Sequence, residues 1–100
     1  MSERELKSRL YEQFARVGSA LASPARLEIL DVLAQGERSV DILAERASLS
    51  VANASRHLQV LRDAGLVEAE RRGTWAYYRL VPDAIERLRE VFSVPVLAPA

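Results

Sequence analysis

The sequence contains no cysteine and a single histidine in 100 residues. The missing cysteines exclude disulfides, thiolate metal sites and cysteine nucleophiles, and leave the redox compartment open. A lone histidine is short of the three or four donors that a tight metal site needs. It also has no paired nucleophile to serve as a general base. There are only four glycines, and none forms a phosphate-cradling loop. No apolar run approaches the roughly 20 residues needed to span a bilayer. The opening "MSERELKSRL" is charged throughout, unlike a signal peptide. An enzyme and a membrane protein are thereby disfavoured, and a cytoplasmic protein is expected. A surplus of charge is missing too, since 14 basic residues balance 14 acidic ones. Zero net charge ordinarily speaks against a nucleic-acid ligand.

What is present points to one globular domain over residues 1–100, without repeats or long linkers. A chain this short buries only a modest core, so a partner subunit would help it. The charge is also uneven. Residues 48–79 hold five arginines against three acids, while both flanks are slightly acidic.

Helical periodicity dominates. Leu6, Leu10, Phe14, Val17 and Leu21 form one apolar stripe on a helix of about residues 3–20. Ser23 and Pro24 begin a second helix, to about residue 34, burying Leu27, Leu30 and Leu33 with help from Ile29. Gly36 ends it. Ser39 caps a short third helix, "SLS" is a tight break, and Ser50 caps a fourth that ends at Gly65. The period then becomes two: "LVEAER" and "TWAYYRL" read as a hairpin turning at Arg72-Gly73. A last helix of about residues 83–92 carries Ile85, Leu88, Val91 and Phe92. The expected class is mainly α with a small β-hairpin, in the order α-α-α-α-β-β-α. Two helices joined by a short turn, over about 39–64, and a hairpin directly after them, over about 66–80, make a winged helix-turn-helix.

On the fourth helix, Val51, Ala54, Leu58 and Leu61 share one sector and should face the core. The opposite sector holds Ala52, Asn53, Arg56, Gln59 and Asp63, with Ser55 and Arg62 on one flank and His57 on the other. Asn, Gln and Arg are the side chains that pair with base edges in the major groove. The Ala52 methyl suits a thymine methyl, and the Ser50 helix terminus suits a phosphate. Arg71, Arg72 and Thr74 at the hairpin tip suit phosphates or the minor groove. Any solvated helix is polar opposite its core stripe, so the face alone says little. Its conjunction with a short-turn helix pair and an Arg-tipped hairpin is far more specific. His57, at the edge of the apolar sector, reads as a packed residue within reach of a phosphate. Trp75 and Tyr77 read as cross-strand packing.

With those residues in place, the sequence resembles the ArsR/SmtB family of winged-helix repressors. The resemblance runs from Ala20 to Phe92. Its most diagnostic part is Ser55, His57, Leu58, Leu61, Ala64, Gly65, Leu66 and Val67, followed by Arg72-Gly73 and the Tyr78–Leu80 strand end. It implies a homodimer through the first and last helices, with Leu6, Leu10, Phe14, Val17, Ile85, Leu88, Val91 and Phe92 at the interface. It also implies repression at a near-palindromic double-stranded operator, relieved by an effector. Metal-sensing members carry a Cys-x-Cys pair on the third helix, and here the matching positions are Ser39 and Asp41. The last helix offers Asp83, Glu86 and Glu90 but no histidine, a poor set for late transition metals. Dithiol and persulfide switches are excluded by the missing cysteines. No cofactor is therefore expected; a metal effector held by His57, carboxylates and the terminal amine stays open as an alternative that the Cys and His content does not support, and the effector is not identified. The competing reading is a winged helix that binds protein without binding DNA, and zero net charge is its main support.

Overall fold

A computed structural model describes residues 1–86 of the chain. The expected positions Leu88, Val91 and Phe92 lie outside the described residues. The order is α1 (Glu3–Leu21), α2 (Pro24–Leu33), β1 (Arg38–Ser39), α3 (Val40–Arg46), α4 (Val51–Asp63), β2 (Val67–Arg72) and β3 (Trp75–Leu80), with a further helical segment over 82–86. Each of α1 to α4 opens on a serine: Ser2, Ser23, Ser39 and Ser50. Every one of these hydroxyls accepts a bond from the backbone N–H three residues on, filling one of the orphan donors of a helix start. At the other end of α4, Gly65 takes φ +74° and the Leu66 N–H bonds the Leu61 carbonyl at 3.0 Å. That is the Schellman closure, which needs a left-handed residue.

The core is the junction of α2, α3, α4 and the base of the sheet. Ile29, Leu43, Leu58, Leu61 and Leu66 are its largest fully buried side chains. Burial of each is worth about 1.5–3 kcal/mol. Two residues expected in the core lie outside it: Leu27 is 43% exposed and Val51 45%. On α2 the buried residues are Ile29, Leu30, Val32 and Leu33. At ~100° per residue, the centre of that sector lies far round the helix from Leu27. Val51 occupies the first turn of α4, one turn ahead of Ala54, where the core begins.

The sheet has three strands rather than two, in the order β1-β3-β2. The short β1 pairs antiparallel with β3, Arg38 opposite Tyr78 and Ser39 opposite Tyr77. The hairpin register sets Arg72 opposite Trp75, which makes Gly73-Thr74 the turn and moves Arg72 into the strand. Gly73 takes φ +63°, as a two-residue hairpin turn requires. The Val81 N–H closes the base of the hairpin on the Leu66 carbonyl at 3.0 Å. As the alternation predicts, Tyr78 and Leu80 pack on the core and Trp75 stays exposed.

The stripe of α1 is mostly uncovered within one chain. Leu6, Leu10 and Phe14 are 53%, 44% and 62% exposed, while Val17 and Leu21 pack against the core. Ile85 is exposed as well.

Candidate nucleic-acid interface

The α3–α4 connection sets how α4 is presented. Ser48, in this turn, holds φ +56°, and the Leu49 N–H bonds the Ala44 carbonyl at 2.8 Å. A non-glycine residue in the left-handed region costs roughly 1 kcal/mol, so the sharp turn is held by the packing on either side. Leu43 and Ala44 of α3, with Ala54, Leu58 and Leu61 of α4, seat the pair on the core.

That seat leaves the opposite face of α4 open. Ser50, Ala52, Asn53, Ser55, Arg56, Gln59 and Arg62 are all exposed. Gln59 Nε2 donates to Asp63 Oδ1 at 2.9 Å, one turn on, which orients its amide. The Asn53, Arg56 and Arg62 side chains have no hydrogen bond or ion pair among the described residues. Uncommitted donors on an outward helix face are what base edges and phosphates require.

His57 is half-buried, and its partner was not anticipated. Arg26 Nη1 lies 3.1 Å from its Nδ1. The same guanidinium donates through Nε to the Ala20 carbonyl at 2.7 Å and through Nη2 to the Ser19 carbonyl at 3.1 Å. Since arginine only donates, Nδ1 must accept, which leaves the ring proton of neutral His57 on Nε2. Arg26 therefore ties the last turn of α1 to the flank of α4. It sits in the first turn of its own helix, where the dipole disfavours a cation. That misplacement is the sequence signal for a specific partner. The last turn of α1 has no basic residue of its own, and Arg26 supplies one.

The wing is arranged differently. Arg71, Arg72 and Thr74 are exposed at its tip. Strand alternation puts the two arginines on opposite faces of the hairpin. Arg71 forms no ion pair among the described residues. Arg72 is held by two carboxylates, Glu37 at 2.7 Å and Glu70 at 2.7 Å, and lies 4.8 Å from the centroid of the Tyr77 ring. Arg79 continues the cluster, with Glu68 at 2.7 Å, Glu70 at 3.3 Å and Glu37 at 3.4 Å. The Arg72 hydrogen bonds and charge, with Arg79 behind them, hold the Glu70 carboxyl below its usual range. The bonds to Glu37 and Glu70 raise Arg72, and that to Glu68 raises Arg79. Glu37 belongs to the α2–β1 connection, 35 residues away from Arg72 in sequence, and no periodicity pointed to it.

Comparison with known proteins accords with this geometry. A helix-turn-helix domain family matches residues 21–70. The chain is 38% identical over 85 residues to the arsenical resistance operon repressor of Bacillus subtilis, covering 84% of this chain and 81% of that protein. The solution structure of a homodimeric winged helix-turn-helix DNA-binding domain from Mycobacterium bovis, described there as a possible ArsR-family transcriptional regulator, superposes with a TM-score of 0.82. The two are 46% identical, over 96% of this chain and 87% of that one. The chain belongs to the ArsR family of winged helix-turn-helix transcriptional regulators. An HTH-type transcriptional regulator of Mycobacterium tuberculosis is 48% identical over 88 residues, which are 88% of this chain. This ArsR-family chain spans only 39% of the length of that relative.

In this ArsR-family chain, α3 does not fit a thiophilic metal. The Ser39 hydroxyl is occupied as the cap of α3, accepting from the Ile42 N–H at 3.4 Å, and Asp41 is an exposed carboxylate in the first turn. Neither offers the soft donor that such an ion selects. Among the described residues, no group of three or more His, Asp or Glu side chains is placed to hold a metal ion. No helix of those residues is long and apolar enough to cross a membrane.

Proposed function

We propose that the chain acts as a homodimeric transcriptional repressor that reads a near-palindromic operator with α4, and that its effector is not bound by thiolates. The observation that carries this reading is the open face of α4, where Asn53, Arg56 and Arg62 point outward with no intrachain partner among the described residues. Base-edge pairing by Asn53, Arg56 and Gln59 would supply sequence selectivity. Ser50, Ser55, His57 and Arg62, with Arg71, Arg72 and Thr74 of the wing, would serve phosphates. The homodimeric Mycobacterium bovis relative supports assembly as a homodimer, and the exposed Leu6, Leu10 and Phe14 support α1 as part of the interface. A two-fold pair would set two copies of α4 about one DNA turn apart. A chain without cysteine supports an effector that binds by other chemistry.

The test is binding to the duplex upstream of the gene, measured against salt concentration. Arg56→Ala and Gln59→Ala should each cost about 1–3 kcal/mol on that duplex and relax discrimination. Arg71→Ala should weaken binding to all sequences and flatten the salt dependence by about one unit. No change in any of the three would overturn the reading in favour of a protein-binding winged helix. Dimerisation is checked separately: Phe14→Asp should convert a light-scattering dimer to monomer.

A further inference from the structure

Glu37 is the one member of the wing cluster that does not come from the wing. Its Oε1 lies 2.7 Å from Arg72 Nη1, and its Oε2 accepts from Arg72 Nη2 at 3.0 Å, a two-point fork across the guanidinium edge. Glu70 takes the other edge, accepting from Nε at 3.1 Å and from Nη2 at 2.7 Å. All three Arg72 nitrogens are thereby committed to carboxylates. A phosphate would have to displace a carboxylate to take over these bonds. The cluster holds three carboxylates and two guanidiniums, so this face of the wing carries a net negative charge despite its arginines. Glu68 lies opposite Arg79 in the hairpin register, and Glu70 lies on the same strand as Arg72, so both serve the hairpin itself. Glu37 reaches in from the α2–β1 connection, and its side chain is the least exposed of the five, at 28%.

We infer that Glu37 is a specificity-determining residue, which withholds Arg72 from DNA phosphates and so lowers affinity for DNA of arbitrary sequence. This rests on the DNA-binding reading above. Phosphate contacts supply nearly all non-specific affinity. A wing whose cation is already neutralised adds little to it, and discrimination falls to the uncommitted face of α4. Surface ion pairs are individually weak, so an operator phosphate that is well placed by α4 can displace the carboxylate.

The experiment measures binding of the full chain to a short mixed-sequence DNA duplex by fluorescence anisotropy across a salt series. Glu37→Gln should bind this duplex about two- to fivefold more tightly than wild type. Its salt slope should steepen by up to about 0.9, one phosphate's worth of released counterion. Glu45→Gln, an exposed α3 acid without an ion pair among the described residues, makes the same change in net charge and should gain less. The gain from Glu37→Gln should disappear in an Arg72→Gln background. A gain of affinity cannot come from a damaged fold, which keeps the result readable. Unchanged or weaker binding by Glu37→Gln, an equal gain from Glu45→Gln, or a gain that survives Arg72→Gln would each overturn the inference. If wild type shows no salt-dependent binding even at the lowest salt, the DNA-binding reading itself fails and takes this one with it. If wild type binds and Glu37→Gln matches it, only the role of Glu37 is lost.

Discussion

Helix α4 and the wing both carry arginines, yet they hold them in opposite ways. Arg56 and Arg62 stand on α4 with no partner among the described residues, above a seat of fully buried leucines. Arg72 and Arg79 stand on a hairpin with a thin apolar face and are bound to Glu37, Glu68 and Glu70. The contrast follows from where each element gets its stability. The inner face of α4 is anchored by burial, so its outer face is free to carry uncommitted charge. A two-residue-turn hairpin has little to bury and is held in part by cross-strand pairs. The cations of α4 are thus available for recognition, as is Arg71 at the wing tip, while Arg72 and Arg79 are first structural.

The contrast can be broken most sharply from beneath α4. Leu58→Ala removes a fully buried side chain and should cost about 2–5 kcal/mol in urea unfolding. A loss below ~1 kcal/mol would mean that α4 is not anchored as described. The two sets of arginines come next. Arg56→Ala should weaken binding to the preferred duplex by about 1–3 kcal/mol with little loss of stability. Arg72→Ala should weaken binding by less, because its guanidinium is already committed to Glu37 and Glu70 and contributes little to phosphates, and the two results reversed would invert the comparison. A smaller effect lies in the pH dependence of the wing. Glu70 has its folded-state pKa depressed by Arg72 and Arg79, so its contribution is present above the unfolded value, near 4.5, and is lost as pH falls through the lower folded value. Trp75 fluorescence should therefore change below about pH 4.5 before the helical circular dichroism does, and simultaneous loss would deny the wing its separate electrostatic support. The smallest expected effect is in the turn that presents α4. Ser48→Gly relieves a left-handed φ of +56° and should raise stability by about 0.5 kcal/mol, read as a small rise in Tm.

Much of this was legible in the sequence because the signals were local. Serine caps and a 3.6-residue period located α1 to α4, and a change to period two located the wing. The outward set on α4 followed from helical phase alone. What escaped was either too short or too distant. Two residues of β1 have no period to detect. Leu27 and Val51 depart from expectation for different reasons: Leu27 lies far round α2 from the centre of its buried sector, and Val51 shares the inward sector of α4 but sits in the first turn, ahead of where the core begins. The hairpin turn slipped by one residue because Gly73 fits either of two turns, and only the pairing of Arg72 with Trp75 decides between them. Glu37 and Arg26 act across 35 and 31 residues, where no local pattern reaches. Arg26 still left a trace, as a cation at the wrong end of its own helix.

That arginine has a consequence beyond holding two helices together. The Nδ1 of His57 can accept from Arg26 only while its own lone pair is free, so the contact fixes which ring nitrogen bears hydrogen. The chain has no second histidine, so the two imidazole signals in a nitrogen-15 spectrum belong to this joint without confusion with another ring. A dimer that repositions α4 against α1 on binding DNA would announce it there, through a change of tautomer or of chemical shift at a single atom.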